Sequence, residues 1–487
     1  MSGNSRNSPT AAKGPHERPL PSVKRATSGT RNGEVSFWYR DDPVTSRRAP
    51  LPHDVTADVA IVGAGLTGLW TAYYLKRARP DLHIVVIERE FAGFGASGRN
   101  GGWLSAELAG SRERYAAVHG RDGVVQLLAA MRGAVDEVIA VTAHEGIEAD
   151  IVKDGMLLVA RSEAQRARLR HEVEHERSWG AGPSDIRELT AAELGRRINV
   201  PSAVSGAFTP HCARVQPAKL VRGLARVVEA QGTVIYESTE ATAVSPHRVT
   251  TTRGTVTAKH IVQCLEGFTA GLRGQRRMWL PMNSSMIVTE PLPDAVMDQV
   301  GWHGAEVLGD SAHAYLYAQR TADGRIALGG RGNPYRFASR TDNHGRTQTA
   351  TVESLTATLH ALFPATVDLR VEHAWCGVLA VPRDWCTTVN YDSGTGIAMA
   401  GGYVGSGLTT TNLAGRTLAD LVLDEDSALT RLPWVNRRMR RWEPEPLRWI
   451  GVQAMYALYR AADQSEENSH LGATSRWARL ANAISGR

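Results

Sequence analysis

The 487-residue chain is 42% hydrophobic with a formal net charge of +6, which is enough apolar material for two intimately joined domains. No apolar run approaches the ~18 residues of a membrane span, and the first thirty or so residues lack a signal-type hydrophobic stretch. Cys212, Cys264, Cys376 and Cys386 are scattered without a C-x-x-C, so neither a disulfide framework nor a cysteine metal site is expected. The expected setting is therefore cytoplasmic, with no metal, no nucleic acid and no membrane partner.

Residues 1–50 read as tail and linker. Arg6, Lys13, Arg18, Lys24, Arg25 and Arg31 face only Glu17 before residue 34. Rich in Ser, Pro, Gly and Thr and lacking hydrophobic periodicity, this stretch is expected to be disordered. Residues 51–110 then open a nucleotide domain. Val59–Val62 is a short apolar run suited to a buried parallel strand. It runs into Gly63-Ala64-Gly65-Leu66-Thr67-Gly68, a G-x-G-x-x-G. Such glycines permit a tight turn, close approach of a pyrophosphate, and helix–strand contact. The helix behind them would aim its N–H groups at phosphate. Pro80-Asp81 breaks the chain, and Ile84–Ile87 is a second strand ending at Glu88-Arg89. An acid in that place can hold ribose hydroxyls. NAD and FAD both remain open at this point.

A second glycine-rich loop follows, Ala96-Ser97-Gly98-Arg99-Asn100-Gly101-Gly102-Trp103. It suits a larger cofactor threading past and replaces the plain βα unit of a simple NAD dehydrogenase. Residues 111–205 form the first part of a substrate domain, with an apolar helical stripe at Val124, Leu127, Leu128 and Met131, a strand at Met156–Ala160 and a charged helix at Arg166–Ser178. Residues 206–270 return to the nucleotide domain. They hold a helix over Pro217–Gln231, a third parallel strand at Val234–Tyr236, a hairpin about Arg253-Gly254 and a buried strand at Ile261–Cys264. Residues 271–370 alternate as Ser285–Thr289, Ala314–Gln319 and Arg325–Gly329, which suits an antiparallel sheet facing a ligand. Residues 371–430 are the third nucleotide-domain part, with Gly401-Gly402-Tyr403-Val404-Gly405-Ser406-Gly407-Leu408 before a 411–424 helix; 431–487 is a C-terminal helical segment. The helix N-terminus behind Gly405–Thr410 suits negative charge on a bound ligand.

At Ser36-Phe37-Trp38-Tyr39, the Ala96–Trp103 loop, Gly329-Gly330-Arg331-Gly332, Trp375-Cys376-Gly377 and Gly401–Gly407, the chain resembles the FAD-dependent oxidoreductases of the D-amino-acid oxidase superfamily. The likeness is greatest to the γ-glutamylputrescine oxidoreductase branch and covers roughly residues 35–460. It implies an α/β fold, with a Rossmann-type FAD-binding domain and an interleaved α+β substrate domain on an antiparallel sheet. It also implies hydride transfer from an amine or amino acid to flavin N5, imine hydrolysis, and reoxidation by O2 or an electron carrier. The resemblance places Ser97, Arg99, Asn100, Gly101 and Gly102 against the flavin and its phosphates, and the backbone of Val244 against adenine. Gly377, Gly402, Gly405, Ser406, Gly407 and Leu408 belong to the same set. On the substrate side, Arg320 matches a carboxylate-binding arginine, and Arg331 is a second candidate. Tyr315 and Tyr317 share a strand face, Trp375 is a candidate cavity wall, and His211 and Arg214 are further lining candidates. The chain departs from its relatives at Cys264-Leu265-Glu266-Gly267, where Glu266 adds negative charge. No covalent flavin tether is assigned, so non-covalent FAD is expected. Two alternatives stand beside an oxidase of a γ-glutamylated amine: a dehydrogenase of sarcosine-like or D-amino-acid substrates, and a flavin-binding interaction protein without turnover.

Overall fold

The computed structural model describes residues 21–313, 315–330, 335–341, 344–469, 475 and 477–478. Arg331 and Gly332 lie outside them, as does Ala314 at the start of one expected strand.

Val55–Val62 is the centre of the nucleotide domain. It pairs in parallel with Ile84–Ile87 on one side and Thr255–Gln263 on the other. Val234–Tyr236 and Ile397–Gly401 extend this parallel run outward. Both faces are covered, which is why Val59–Val62 reads as a continuous apolar run. Val59 and Ile61 point to one core, with Leu69, Leu224 and Leu413. Ala60 and Val62 point to the other, with Val249 and Val256 of the adjoining antiparallel ribbon.

The substrate domain is built on nine strands in the order Arg31–Asn32, Val371–Val381, Leu280–Thr289, Ile326–Gly330, Tyr317–Arg320, Val307–Asp310, Met156–Ala160, Ser205–Thr209 and Arg187–Thr190. Its pairs are antiparallel except at Arg31–Asn32 with Val371–Val381 and at Val307–Asp310 with Met156–Ala160. Thr349–Leu362 covers one face through Val352, Leu355 and Leu359.

Three sequence boundaries shift. The stripe Val124–Met131 belongs to a helix, Arg112–His144, whose apolar side packs into the nucleotide-domain core. Periodicity says that a face is buried, not against what. Val371–Val381, expected to open the third nucleotide segment, is instead a long strand of the substrate sheet paired with Leu280–Thr289. Ser205–Thr209 likewise extends that sheet.

The larger correction concerns the tail. Pro21–Ala26 is helical, with Val23 and Ala26 buried, and Arg31–Asn32 adds a parallel strand to the sheet edge. Phe37, Trp38 and Tyr39 are 5%, 3% and 7% exposed. Polar composition misled because a short aromatic cluster and a sheet edge suffice to order a segment that lacks periodicity of its own. Arg48, in the expected linker, donates to buried Glu237 at 2.7 Å. Trp38→Ala should therefore cost ~3–5 kcal/mol, the range for emptying a buried large aromatic site. Urea unfolding measures this, and a change under 1 kcal/mol, within about the range of surface substitutions, would show the segment to be loosely held.

Candidate functional site

The turn after Val55–Val62 is built for close approach. Gly63 has φ +106, and a Cβ there would stand 2.6 Å from the Cys264 carbonyl oxygen. A Cβ at Gly68 would stand 2.2 Å from the Gly63 oxygen, so the helix Leu66–Ala78 packs on the turn only with glycine there. Gly65 caps that helix without a side-chain partner. Ser97 lies over this end, its Oγ accepting from Leu66 N at 2.8 Å. Glu88 stands where the second strand ends. Its carboxylate accepts from Ala64 N at 3.0 Å and Glu90 N at 2.9 Å, and burial pushes its carboxyl above the usual range despite those donors.

Gly63, Gly65, Glu88 and Ser97 line a cleft of about 290 Å3 with Leu66, Thr67, Arg89, Asn100, Gly405, Gly407 and Leu408. A second cavity of about 130 Å3 adjoins it, lined by Arg99, Gly101, Trp103, Tyr315, Tyr317 and Gly377 among others. Ala96, Asn100, Leu379, Gly405 and Leu408 line both, so cleft and cavity meet at the second glycine loop and at the start of one helix. That helix is Gly407–Leu423, beginning four residues earlier than its apolar pattern indicates, with Ser406 as an N-cap that makes no side-chain capping bond. Gly405 has φ +112 with open space where a Cβ would stand, and Val404 before it is also at positive φ, +55.

The Ala96–Gly102 loop is held from several sides. Ser36 Oγ donates to Gly98 O at 2.7 Å, Trp38 Nε1 to Asn100 O at 2.9 Å and Trp375 Nε1 to Arg99 O at 2.9 Å. Arg99 is 2% exposed, lies 4.3 Å from the Phe94 ring centroid, and donates through Nε to Phe94 O at 2.6 Å and through Nη1 to Cys376 O at 3.2 Å. Its guanidinium thus pins the loop. Trp375 is fully buried against Phe37 and Trp38 and is no part of the cavity wall.

The structure separates other expected residues. Arg320 donates to the carbonyls of His303 and Gly304 at 2.8 and 2.9 Å. Three positions beyond Tyr317 on a strand, it faces the opposite side of the sheet. Tyr317 does face the cavity, with its hydroxyl 2.8 Å from Ser284 Oγ. Val244 lies beyond the cleft rim, which is formed by Glu240, Ala241 and Thr242. Gly402 and Gly102 act in turns behind the walls, at φ +76 and +70, and Ala64 contributes its N–H to Glu88. Arg214 donates to Arg320 O at 3.1 Å.

Sequence reasoning passed over Phe268, Ser284 and Glu107, which carry no motif, and gave no site role to Tyr403 and Trp103 although both lie within its glycine-rich motifs. Glu266, noted only as a departure, lines the cleft. Its carboxylate accepts from Gly402 N at 2.8 Å, and from Ala380 N and Tyr403 N at 3.2 Å each. Burial pushes it up to about 7 against those donors. Glu107 also opens onto a third recess of about 80 Å3, where Glu172, Glu176 and Asp185 meet Arg112, Arg132 and His211. His211 is thus placed there, 2.8 Å from Asp185.

The profile of the DAO family, described as FAD dependent oxidoreductase, matches residues 58–421. Among curated relatives, γ-glutamylputrescine oxidoreductase of Escherichia coli (strain K12) is 28% identical over 380 residues, covering 76% of this chain and 85% of the relative. A probable oxidoreductase OrdL of Rhizobium meliloti (strain 1021) is 27% identical, covering 78% and 86%. Among solved structures, glycine oxidase from Geobacillus kaustophilus superposes with a TM-score of 0.63 at 21% identity, covering 79% of this chain and 99% of that one.

Glu88→Arg should unpair the donors it holds and set a cation in a ribose position. Charge-assisted hydrogen bonds are worth roughly 1.5–3 kcal/mol, so the purified variant should lose at least about tenfold in FAD affinity. Full yellow occupancy of the variant would remove Glu88 from the site. Gly405→Val should be more severe, because a branched side chain resists a positive φ and would project between cleft and cavity. Absorbance scans of the folded variant should show little or no flavin.

Proposed function

The chain belongs to the DAO family of FAD-dependent oxidoreductases and acts on amines or amino acids, and from its cavities we propose that its substrate is an amine bearing a charged, zwitterionic distal end, such as a γ-glutamylated diamine. The observation that carries this reading is the recess that adjoins the second cavity, the two sharing Ser105 and Glu107 in their walls. It holds acids and guanidinium groups together, which suits a head bearing both an ammonium and a carboxylate.

The residues fit FAD: glycine turn, Glu88 and the uncapped Gly407–Leu423 helix start all border one cleft. Cys264 is a cysteine of that cleft, and burial pushes its thiol far above its ordinary value, which supports non-covalent binding. Bound FAD supplies the two-electron acceptor for hydride from the carbon bearing nitrogen, and the protein's part is to orient and to exclude water. Tyr317 and Ser284 shape the reaction cavity with a hydroxyl pair. Trp103 meets Tyr317 edge-on at 6.1 Å between ring centroids. Among the described residues, the arginine lining this cavity is Arg99, and its guanidinium is turned to loop carbonyls. A simple α-amino acid would want an arginine fork for its carboxylate at the reacting end. An amine whose carboxylate lies one recess away does not. Reoxidation by O2 is the favoured half-reaction, and transfer to an electron carrier is the alternative; oxygen uptake against dye reduction separates them. The reading as a whole is tested by anaerobic mixing of the yellow protein with a panel of amines. γ-Glutamyl diamines should bleach the flavin fastest, and faster bleaching by sarcosine, glycine or a D-amino acid would overturn the assignment.

The recess also makes a pH prediction. Glu172 is exposed over much of its surface, but its carboxyl, which faces the recess, is pushed up to about 7, first by desolvation at that end and then by Glu107 and Glu176. Its carboxylate attracts an ammonium only when ionised, so it is neutral below that value and charged above it. KM for a cationic substrate should therefore fall as pH rises from about 6 to about 8, while the substrate ammonium is still protonated. Glu172→Gln should flatten this dependence and raise KM about tenfold at the upper end, ~1.4 kcal/mol, with kcat little changed. A pH-independent KM in the unmodified enzyme would exclude a role for the recess.

A further inference from the structure

We propose that the face formed by the start of the C-terminal helix Leu447–Ser469 docks on an anionic lipid membrane surface. Three segments distant in sequence are tied together there. Arg277 Nε donates to Trp442 O at 2.6 Å, and Trp442 N donates to Arg277 O at 2.8 Å. Arg448 reaches Arg276 O at 3.1 Å and Ser339 Oγ at 3.0 Å. Tyr335 hydrogen-bonds Glu445. The surface is therefore held as a unit.

On that surface Leu447 is 63% exposed, Ile450 53%, Phe337 50% and Trp449 37%. Phe337 and Trp449 meet edge-on at 6.1 Å between ring centroids. The other large apolar side chains exposed among the described residues are Val118, Val125, Val152, Val234 and Trp477, so aromatic and long aliphatic exposure is concentrated here. Single exposed apolar residues need no explanation, but a contiguous patch does.

The segments that carry the patch are rich in exposed arginine: Arg276, Arg277 and Arg340 belong to the segments tied together there, and Arg438, Arg440 and Arg441 directly precede Trp442 in the chain, Arg440 approaching Glu443 at 3.8 Å. The nearby acids are already engaged: Glu443 with Arg383 at 3.1 Å and Glu445 with Arg448 at 3.0 Å. Beneath the patch lies an apolar cavity of about 260 Å3, lined by Leu280, Met282, Val381, Trp442 and Tyr456, with Leu447 on its wall. It has the character to take an acyl chain. Protruding apolar groups and arginines on the same segments are the two signals that together hold a protein at an interface, neither sufficing alone.

Charge decides between occupants. A second copy docked across a two-fold axis would lay this patch on itself, bringing arginine against arginine. An anionic leaflet instead gains about 1 kcal/mol per arginine near its surface. The expectation of no membrane partner rested on the absence of a spanning segment. Among the described residues no helix is long and apolar enough to cross a membrane, and a peripheral face needs none. The same loop runs back through Gly271 and Leu272 to the dinucleotide cleft, so the docked face lies beside the rim of the cofactor site.

The test is co-sedimentation of the full-length, FAD-loaded protein with vesicles of phosphatidylcholine alone or mixed with phosphatidylglycerol. Binding to the mixed vesicles should exceed binding to the neutral ones at least about tenfold at low salt and weaken steeply as salt is added. The Arg438→Gln, Arg440→Gln, Arg441→Gln triple variant should lose most of that preference. Leu447→Glu with Ile450→Glu should lose binding to both. Flavin content and bleaching by amine should stay as in the parent, showing that the variants fold. Absence of binding to anionic vesicles, equal binding to neutral ones, or binding indifferent to these substitutions would overturn the proposal. So would a dimer in sedimentation equilibrium that Ile450→Glu dissociates.

Discussion

The site depends on one buried cation. Arg99 is almost wholly withdrawn from water, and an uncompensated charge there would cost several kcal/mol. It is tolerated because two carbonyl oxygens and the face of Phe94 surround it. Those carbonyls come from its own loop and from Val371–Val381 of the other domain's sheet. The arginine is therefore a rivet between domains, and the loop it sits on separates cofactor cleft from reaction cavity. Trp375 and the Ser36–Tyr39 segment bind the same loop from behind. Much of what seems peripheral in the chain, including residues that precede the first nucleotide strand, thus holds the shared wall of cleft and cavity in place.

The two buried acids of the cleft divide its labour. Glu88 stands at the end of a parallel strand, where ribose hydroxyls are ordinarily met, and is braced by two backbone N–H groups. Glu266 gathers three N–H groups from Val371–Val381 and the Gly402–Tyr403 turn, so that the two sheets and the helix behind Gly405 share one support. Desolvation raises both carboxyls while their N–H partners oppose it. Glu266, pushed up to about 7, is only partly ionised near neutrality, which lessens its repulsion of an anionic cofactor.

Reaction cavity and recess differ in kind. The first is walled by aromatic rings, glycine backbone and a hydroxyl pair, the second by opposed charges that water can reach. For the proposed substrate, such a division would keep the charged end hydrated while the reacting carbon is enclosed, so that binding energy from the remote end would serve orientation at the near one.

The nucleotide unit was legible because backbone geometry leaves few choices. Gly63 and Gly68 are dictated by contacts of 2.6 and 2.2 Å that no side chain survives, and a strand buried on both faces must be apolar throughout. The same holds for the charged helix beginning at Glu163, whose Ser162 cap and polar surface are local properties. What the sequence could not determine was partnership. Periodicity marked the Val124–Met131 face as buried but not which core received it, and alternation sets Arg320 on the face opposite Tyr317 without revealing that its guanidinium would meet the His303 and Gly304 carbonyls. The order in residues 21–39 comes from a sheet edge more than three hundred positions later and from an aromatic cluster that joins Trp375 to Phe91 and Phe94. Glu107 and Glu172 share a chamber only because distant segments converge on it. Local conformation follows from each residue's own sterics and spacing, whereas a site arises from contacts between residues far apart in the chain, and only the tertiary structure decides which of them meet.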